Sequence, residues 1–375
     1  MFRPTSLAAL MVLGLLGSAP ARSADVTPLP IGAPAPDFHL PGVDGKTHSL
    51  SEYAESPVLA IVFTCNHCPT AQAYEGRLET LYKEYHDRGV ALVAISPNDP
   101  EAVRLDELGY TDLDDSFEAM KIRARDHHYP YPYLYDGDTQ SVAKAYGVLA
   151  TPHVFIFDKD RKLRYNGRFD DGEVKEIKSH DALNAVDALL AGKPVPVETT
   201  RVFGCSTKWA EKRADAEKSL EKWNAEPVSI SELGLKGAAD LAENDSKDYI
   251  LVNLWATWCG PCVAELPEFV TMHRMYRGRN FKMVTISLDD PENREQALEV
   301  LKECHASGTN YILTADDRDE FAEALDPKWP GPIPYTILIA PGGKVVYRQS
   351  GPIDPLEVKR AIVEQIGRTY ASRRR

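Results

Sequence analysis

Residues 249–262 read Tyr-Ile-Leu-Val-Asn-Leu-Trp-Ala-Thr-Trp-Cys-Gly-Pro-Cys, an apolar run that ends in two cysteines three positions apart. An uninterrupted apolar run of this length suits a parallel strand covered on both faces. Beyond it Leu266, Phe269, Val270 and Met275 recur at helical spacing, so the pattern predicts a strand leading into a helix, with the cysteines at the junction. The same order stands earlier in the chain. Val58 to Phe63 is wholly apolar, Thr64-Cys65-Asn66-His67-Cys68-Pro69 follows, and Tyr74, Leu78, Leu81 and Tyr82 continue at helical spacing.

The echo extends outward from both stretches. Second apolar strands follow at Val90–Ile95 and Phe281–Ile286, each leading into a serine and an Asp-Pro turn, Asp99-Pro100 and Asp290-Pro291. Further on stand Thr151-Pro152-His153 and Ile333-Pro334-Tyr335, each opening another apolar run, then hairpin turns at 158–162 and 341–344 and closing helices at 181–191 and 355–366. This order predicts two tandem copies of one α/β fold, each a central mixed β-sheet flanked by helices. The expected organisation is an export signal at 1–24, a first domain at 29–194, a connecting stretch at 195–224 that holds Cys205, and a second domain at 225–372. Gly192–Thr200 reads as an extended exit from the first domain, and Lys208–Trp223 as a charged helix.

Length and composition agree with two cores. A chain of 375 residues, 43% hydrophobic and 26% charged, is ordinary for globular protein and excludes collagen-like, coiled-coil and wholly disordered classes. A net charge of −13 gives nucleic acid or an anionic bilayer no basic surface to meet. Residues 1–24 combine Arg3, an apolar stretch Leu7–Leu16 and small residues before position 25, the order of a secretory signal peptide. That stretch is shorter than a membrane span requires, no cysteine precedes Cys65, and no later segment approaches spanning length. A periplasmic or secreted protein without a membrane span after signal removal is expected.

Six cysteines are too few for a disulfide scaffold, so their spacing carries the meaning. Two cysteines on the first turn of a helix can join with little movement, and the helix N-terminus stabilises a thiolate there. The expected nucleophiles are Cys65 and Cys259, with Cys68 and Cys262 as the resolving thiols. A four-cysteine zinc site is the alternative, although the two pairs lie in opposite halves of the chain; a structural disulfide is another, although it closes almost no loop. Glu265 stands one helical turn beyond Cys262, placed to take the proton of the resolving thiol. His67, between its two cysteines, is expected to favour the Cys65 thiolate. Cys205 is a third thiol for the first site, a relay between domains or inert; Cys304 reads as a packed small hydrophobe, and Tyr129–Tyr135 as core rather than a substrate rim.

Residues 249–267 resemble the active-site strand and helix of thioredoxin-fold proteins, and within them the TlpA/ResA group of exported thiol-disulfide oxidoreductases. Residues 29–208 resemble the peroxiredoxin-like (AhpC/TSA-like) redoxins of the same superfamily, in which a further cysteine follows the domain, as at Gly204-Cys205-Ser206. The resemblance implies a cis-proline facing the sulfurs of each half, at Pro152 and Pro334, presenting the preceding residue's backbone to an incoming polypeptide. It also implies that Glu265 is the proton acceptor, Asn253 standing where many thioredoxins carry an aspartate. In the first half Ala71 matches Glu265 and the strand is apolar, so no acceptor is expected there. The peroxide-reducing pattern places a proline seven, and a threonine or serine three, before the reactive cysteine; Val58 and Val62 stand there, which favours a dithiol site. The Gly-Pro dipeptide between Cys259 and Cys262 resembles reducing members. The expectation is a reductase of disulfides in exported proteins, drawing electrons from a membrane thiol donor of the DsbD type. No flavin or nicotinamide fingerprint is visible, so no cofactor is expected. Alternatives are a copper chaperone holding Cu(I) at Cys65, Cys68 and His67 or His153, and a thiol peroxidase in the first domain.

Overall fold

A computed structural model describes residues 26–173, 176–315 and 317–370. The export signal expected at 1–24 lies outside the described residues. Among the described residues no helix is long and apolar enough to cross a membrane.

The first sheet holds β1 (Val58–Phe63), β2 (Val90–Ser96), β3 (Tyr133–Tyr135), β4 (His153–Phe157) and β5 (Leu163–Gly167) in the order β3-β2-β1-β4-β5. β1 and β2 run parallel, as do β2 and β3, while β4 is antiparallel to both β1 and β5. The apolar run of β1 is buried at every position because both faces are covered. Val58, Ala60 and Val62 face Tyr74, Leu78 and Leu81 of α1 (Pro69–Tyr85). Leu59, Ile61 and Phe63 face Val142, Ala143 and Tyr146. Tyr131, Tyr133 and Tyr135 are core, as expected of this segment.

The second sheet repeats this plan with β6 (Ser231–Leu233), β7 (Tyr249–Trp255), β8 (Phe281–Ser287), β9 (Thr309–Leu313), β10 (Tyr335–Ile339) and β11 (Val345–Ser350), ordered β6-β9-β8-β7-β10-β11. β7 is parallel to β8 and antiparallel to β10. Leu251 packs on Phe269, Met272 and Tyr276 of α2 (Gly260–Tyr276), while Val252 and Leu254 join Phe321 and Trp329 on the other face. Two mixed sheets flanked by helices are therefore present, as the duplicated pattern requires.

The stretch 195–224 is not a free connection. Cys205–Ser206 forms a short antiparallel pair with Ala150–Thr151, Thr207 and Lys208 are buried, and a helix runs from Arg213 to Asn224. The halves also share a core that the sequence did not announce. Val103 and Leu108, from the segment after β2, pack with Phe269, Met272 and Met275 of α2. Tyr276 donates its hydroxyl to the Thr111 carbonyl at 2.8 Å, and Arg279 donates to the Gly109 carbonyl at 2.6 Å.

Candidate functional site

In the second half the end of β7 delivers Cys259 to the N-cap of α2, where its sulfur accepts the Cys262 N–H at 3.3 Å. Pro261 sits in the first turn, where its missing N–H has no helical partner to lose. Cys259 and Cys262 are joined as a disulfide. Cys262 is fully buried and Cys259 nearly so, while Trp258 beside them is 64% exposed. The Ile333-Pro334 peptide bond is cis, at the start of β10. Glu265 is buried on α2; its carboxylate accepts the Ile353 N–H at 3.1 Å and the Asn253 side-chain amide at 3.2 Å. Burial raises the Glu265 carboxyl above its usual range, and these two donors only partly offset it. The Asn253 amide also lies 3.2 Å from the Thr336 hydroxyl, so it bridges Glu265 and β10.

The first half is built on the same frame, but with its cysteines shifted. Phe63 pairs with Ile95 and with His153, which follows the cis Thr151-Pro152 bond. Leu254 pairs with Ile286 and with Tyr335, which follows the cis Ile333-Pro334 bond. Both registers make Phe63 the counterpart of Leu254, and the fifth residue beyond each is Cys68 and Cys259. Cys68, not Cys65, is the N-cap of its helix. This corrects the expectation of Cys65 as the first half's helix-terminus nucleophile: α1 begins only at Pro69, so Cys65 precedes the helix and corresponds to Ala256. By the same registers Tyr74, not Ala71, stands opposite Glu265, and it is spent on a 2.9 Å hydrogen bond to Asp170.

Cys65, Cys68 and Cys205 form one cluster. The Cys65 sulfur lies 3.1 Å from the Thr151 hydroxyl, and the Cys68 sulfur lies 3.1 Å from the Thr151 carbonyl oxygen and accepts the Cys205 N–H at 3.4 Å. Burial pushes the Cys65 thiol well above its ordinary range. Burial also opposes ionisation of Cys68, but the thiols of Cys205 and Cys65, the charge of His67 and the first-turn N–H of Ala71 outweigh it and hold Cys68 well below that range. His67 lies against Cys65, with Nδ1 3.6 Å from the sulfur. Its Nδ1 is 2.5 Å from Asp115, whose carboxylate also takes the backbone N–H groups of Asn66 and His67 and the Asn98 amide. Burial disfavours the imidazolium, yet the Asp115 charge prevails and raises His67, so a buried ion pair stands beside the sulfurs.

The Thr151 carbonyl stands where the cis-proline implied, but its hydroxyl contact with Cys65 was not expected, and sequence reasoning missed Asp115, which reaches the site only through tertiary contact, and Glu173. Glu173 accepts the Thr70 hydroxyl of the first turn of α1 at 2.9 Å, and burial raises its carboxyl. Among the described residues one group is spaced to hold a metal ion, Cys65, His67 and Asp115, but its His and Asp already bind each other. His153 does not join a copper site: its ring nitrogens are engaged by Asn166 at 2.7 Å and the Leu149 N–H at 3.3 Å, and burial lowers it to about 4. Cys304 closes the helix Arg294–Glu303 and packs beside Leu301, as a small hydrophobe would.

A family model described as the AhpC/TSA family matches residues 31–166 and 224–348, one span in each half. Among individual proteins, the thiol-disulfide oxidoreductase ResA of Bacillus subtilis is 27% identical over 127 residues, covering 34% of this chain and 60% of that protein. The chain thus spans less than two thirds of that relative's length. A thiol:disulfide interchange protein DsbE homolog of Paracoccus denitrificans is 30% identical over 162 residues, covering 42% of this chain and 84% of that protein. A solved hypothetical protein from Sinorhizobium meliloti is 36% identical, covering 49% of this chain and 97% of its own, with a TM-score of 0.44.

Proposed function

The chain belongs to the AhpC/TSA family, and on that footing we propose that it is an exported thiol-disulfide oxidoreductase that reduces disulfides of other exported proteins at Cys259 and Cys262. The observation that carries this is the second site as a unit: a helix-capping Cys259 joined to a buried Cys262, with Ile333 of the cis Ile333-Pro334 bond packed against the cluster that holds both cysteines and a buried carboxyl one turn on. The reduced Cys259 thiolate attacks a substrate disulfide, forming a mixed disulfide and releasing one substrate thiolate. Cys262 then passes its proton to the Glu265 carboxylate and attacks the Cys259 sulfur, freeing the second substrate thiol and leaving the Cys259–Cys262 disulfide. An external thiol donor at the membrane, of the DsbD type, would restore the dithiol. In the first half, the residues three and seven before Cys68 are Cys65 and Ile61. Neither matches the peroxide-reducing pattern, which supports dithiol chemistry there as well.

Insulin reduction driven by dithiothreitol tests the assignment. Cys259→Ser is expected to bring the rate down to that of dithiothreitol alone, and an undiminished rate would overturn it. The direction is set by the potential of the Cys259–Cys262 pair, expected near the roughly −270 mV of thioredoxin; a value near roughly −120 mV would make the site an oxidant.

A further inference from the structure

In the second half no described strand pairs with Ile333, the residue before the cis-proline. An edge of this kind is open to an extended peptide, which adds to it as a further strand. In the first half the equivalent edge is taken. Cys205–Ser206 pairs antiparallel with Ala150–Thr151, setting Cys205 directly opposite Thr151, the residue before cis-Pro152. The fit is close enough to require glycine: a Cβ on Gly204, whose φ is +144°, would stand 2.1 Å from the Thr151 carbonyl oxygen. The chain's own segment therefore lies where a substrate strand would lie, and it carries a cysteine whose N–H bonds to the Cys68 sulfur.

Access separates the three sulfurs. Cys65 and Cys68 are 2% and 0% exposed, whereas Cys205 is partly exposed and lines a cavity of about 270 Å³ with His67, Lys208, Tyr110 and Tyr370. That is at the small end of ligand sites, which run to roughly 1,000 Å³. Tyr370, from the end of the second half, stacks edge-on against Tyr110 at 5.1 Å and walls one side.

We infer that Cys205 is the redox partner of Cys68, and that the first half works as an internal Cys68–Cys205 couple that accepts small disulfides and is closed to polypeptides. As the Cys205 sulfur attacks a small disulfide RSSR in the cavity, its proton passes to the Cys68 thiolate in the same step, so that no free Cys205 thiolate forms; a Cys205–SR bond is made and RS⁻ is released, which takes the proton from Cys68. The Cys68 thiolate then attacks the Cys205 sulfur, forming the Cys68–Cys205 disulfide and expelling the second RS⁻. Two cysteines are oxidised and one disulfide is reduced to two thiols.

The test uses the full chain carrying Cys259→Ser and Cys262→Ser, fully reduced, freed of reductant and given excess hydroxyethyl disulfide. Peptide mapping is expected to find Cys68 linked to Cys205, with release of two mercaptoethanol molecules per chain, and adding Cys205→Ser is expected to abolish that burst. Recovery of a Cys65–Cys68 link with Cys205 free would overturn the couple. Insulin reduction by the same reduced chain, stoichiometric with its thiols, would overturn the closure; intact insulin is expected.

Discussion

Glu265 shows how one side chain's surroundings set its chemistry. Buried beside Cys262's helix turn and held by only two donors, it keeps its proton to higher pH than an exposed glutamate. It accepts the resolving thiol's proton only when ionised, so resolution of the mixed disulfide is expected to accelerate as pH rises through that elevated pKa and to be slow below it. Glu265→Gln keeps the shape and removes the acceptor. Stopped-flow resolution is expected to slow by about 100-fold and to lose its rise with pH; a profile identical to the parent's would remove Glu265 from the step. Glu265 was legible because it lies one turn from Cys262 in sequence. Asp115 was not, because 48 positions separate it from His67 and only folding brings the two together.

At the scale of elements, the two halves differ in where the helix starts. Both have a strand and a Cys-x-x-Cys, but Pro69 follows the second cysteine directly, while Pro261 lies between the two. Proline favours the first turn, so Pro69 was the local signal that α1 begins after Cys68. The equal cysteine spacing drew the alignment to the motif instead, three residues out of register with the strands. The strand at Cys205–Ser206 left no such signal, since two residues show no periodicity. Its docking is testable through Gly204→Ala, which adds a Cβ against the Thr151 carbonyl at a backbone angle suited to glycine. Urea unfolding is expected to show a loss of about 1–3 kcal/mol, with faster amide exchange at Cys205 and Ser206; native protection there would mean the strand pairing does not depend on glycine.

At the scale of the molecule, Asp112 ties the halves together. Its buried carboxylate accepts from Arg368 and Arg360 of the second half, and Arg123 of the first lies 3.9 Å away. Burial opposes the Asp112 charge, but Arg368 and Arg123 hold its carboxyl below the usual range. Asp112→Asn removes the charge that three guanidinium groups share and is expected to lower the unfolding free energy by about 3 kcal/mol in urea titrations. A loss under about 0.5 kcal/mol would place the clasp among solvent-screened surface pairs.

The sequence by itself determined the duplicated α/β fold, the two cysteine pairs and the proline before each antiparallel strand. Those features follow from local periodicity and from residue types that few conformations accept. Tertiary structure alone decided that Cys205 lies beside the helix-capping sulfur of the first half, and that the segment after β2 packs into the second core. Each depends on strand register or on contacts between residues distant in the chain. Such contacts form through backbone pairing and burial, which spacing within a motif does not encode.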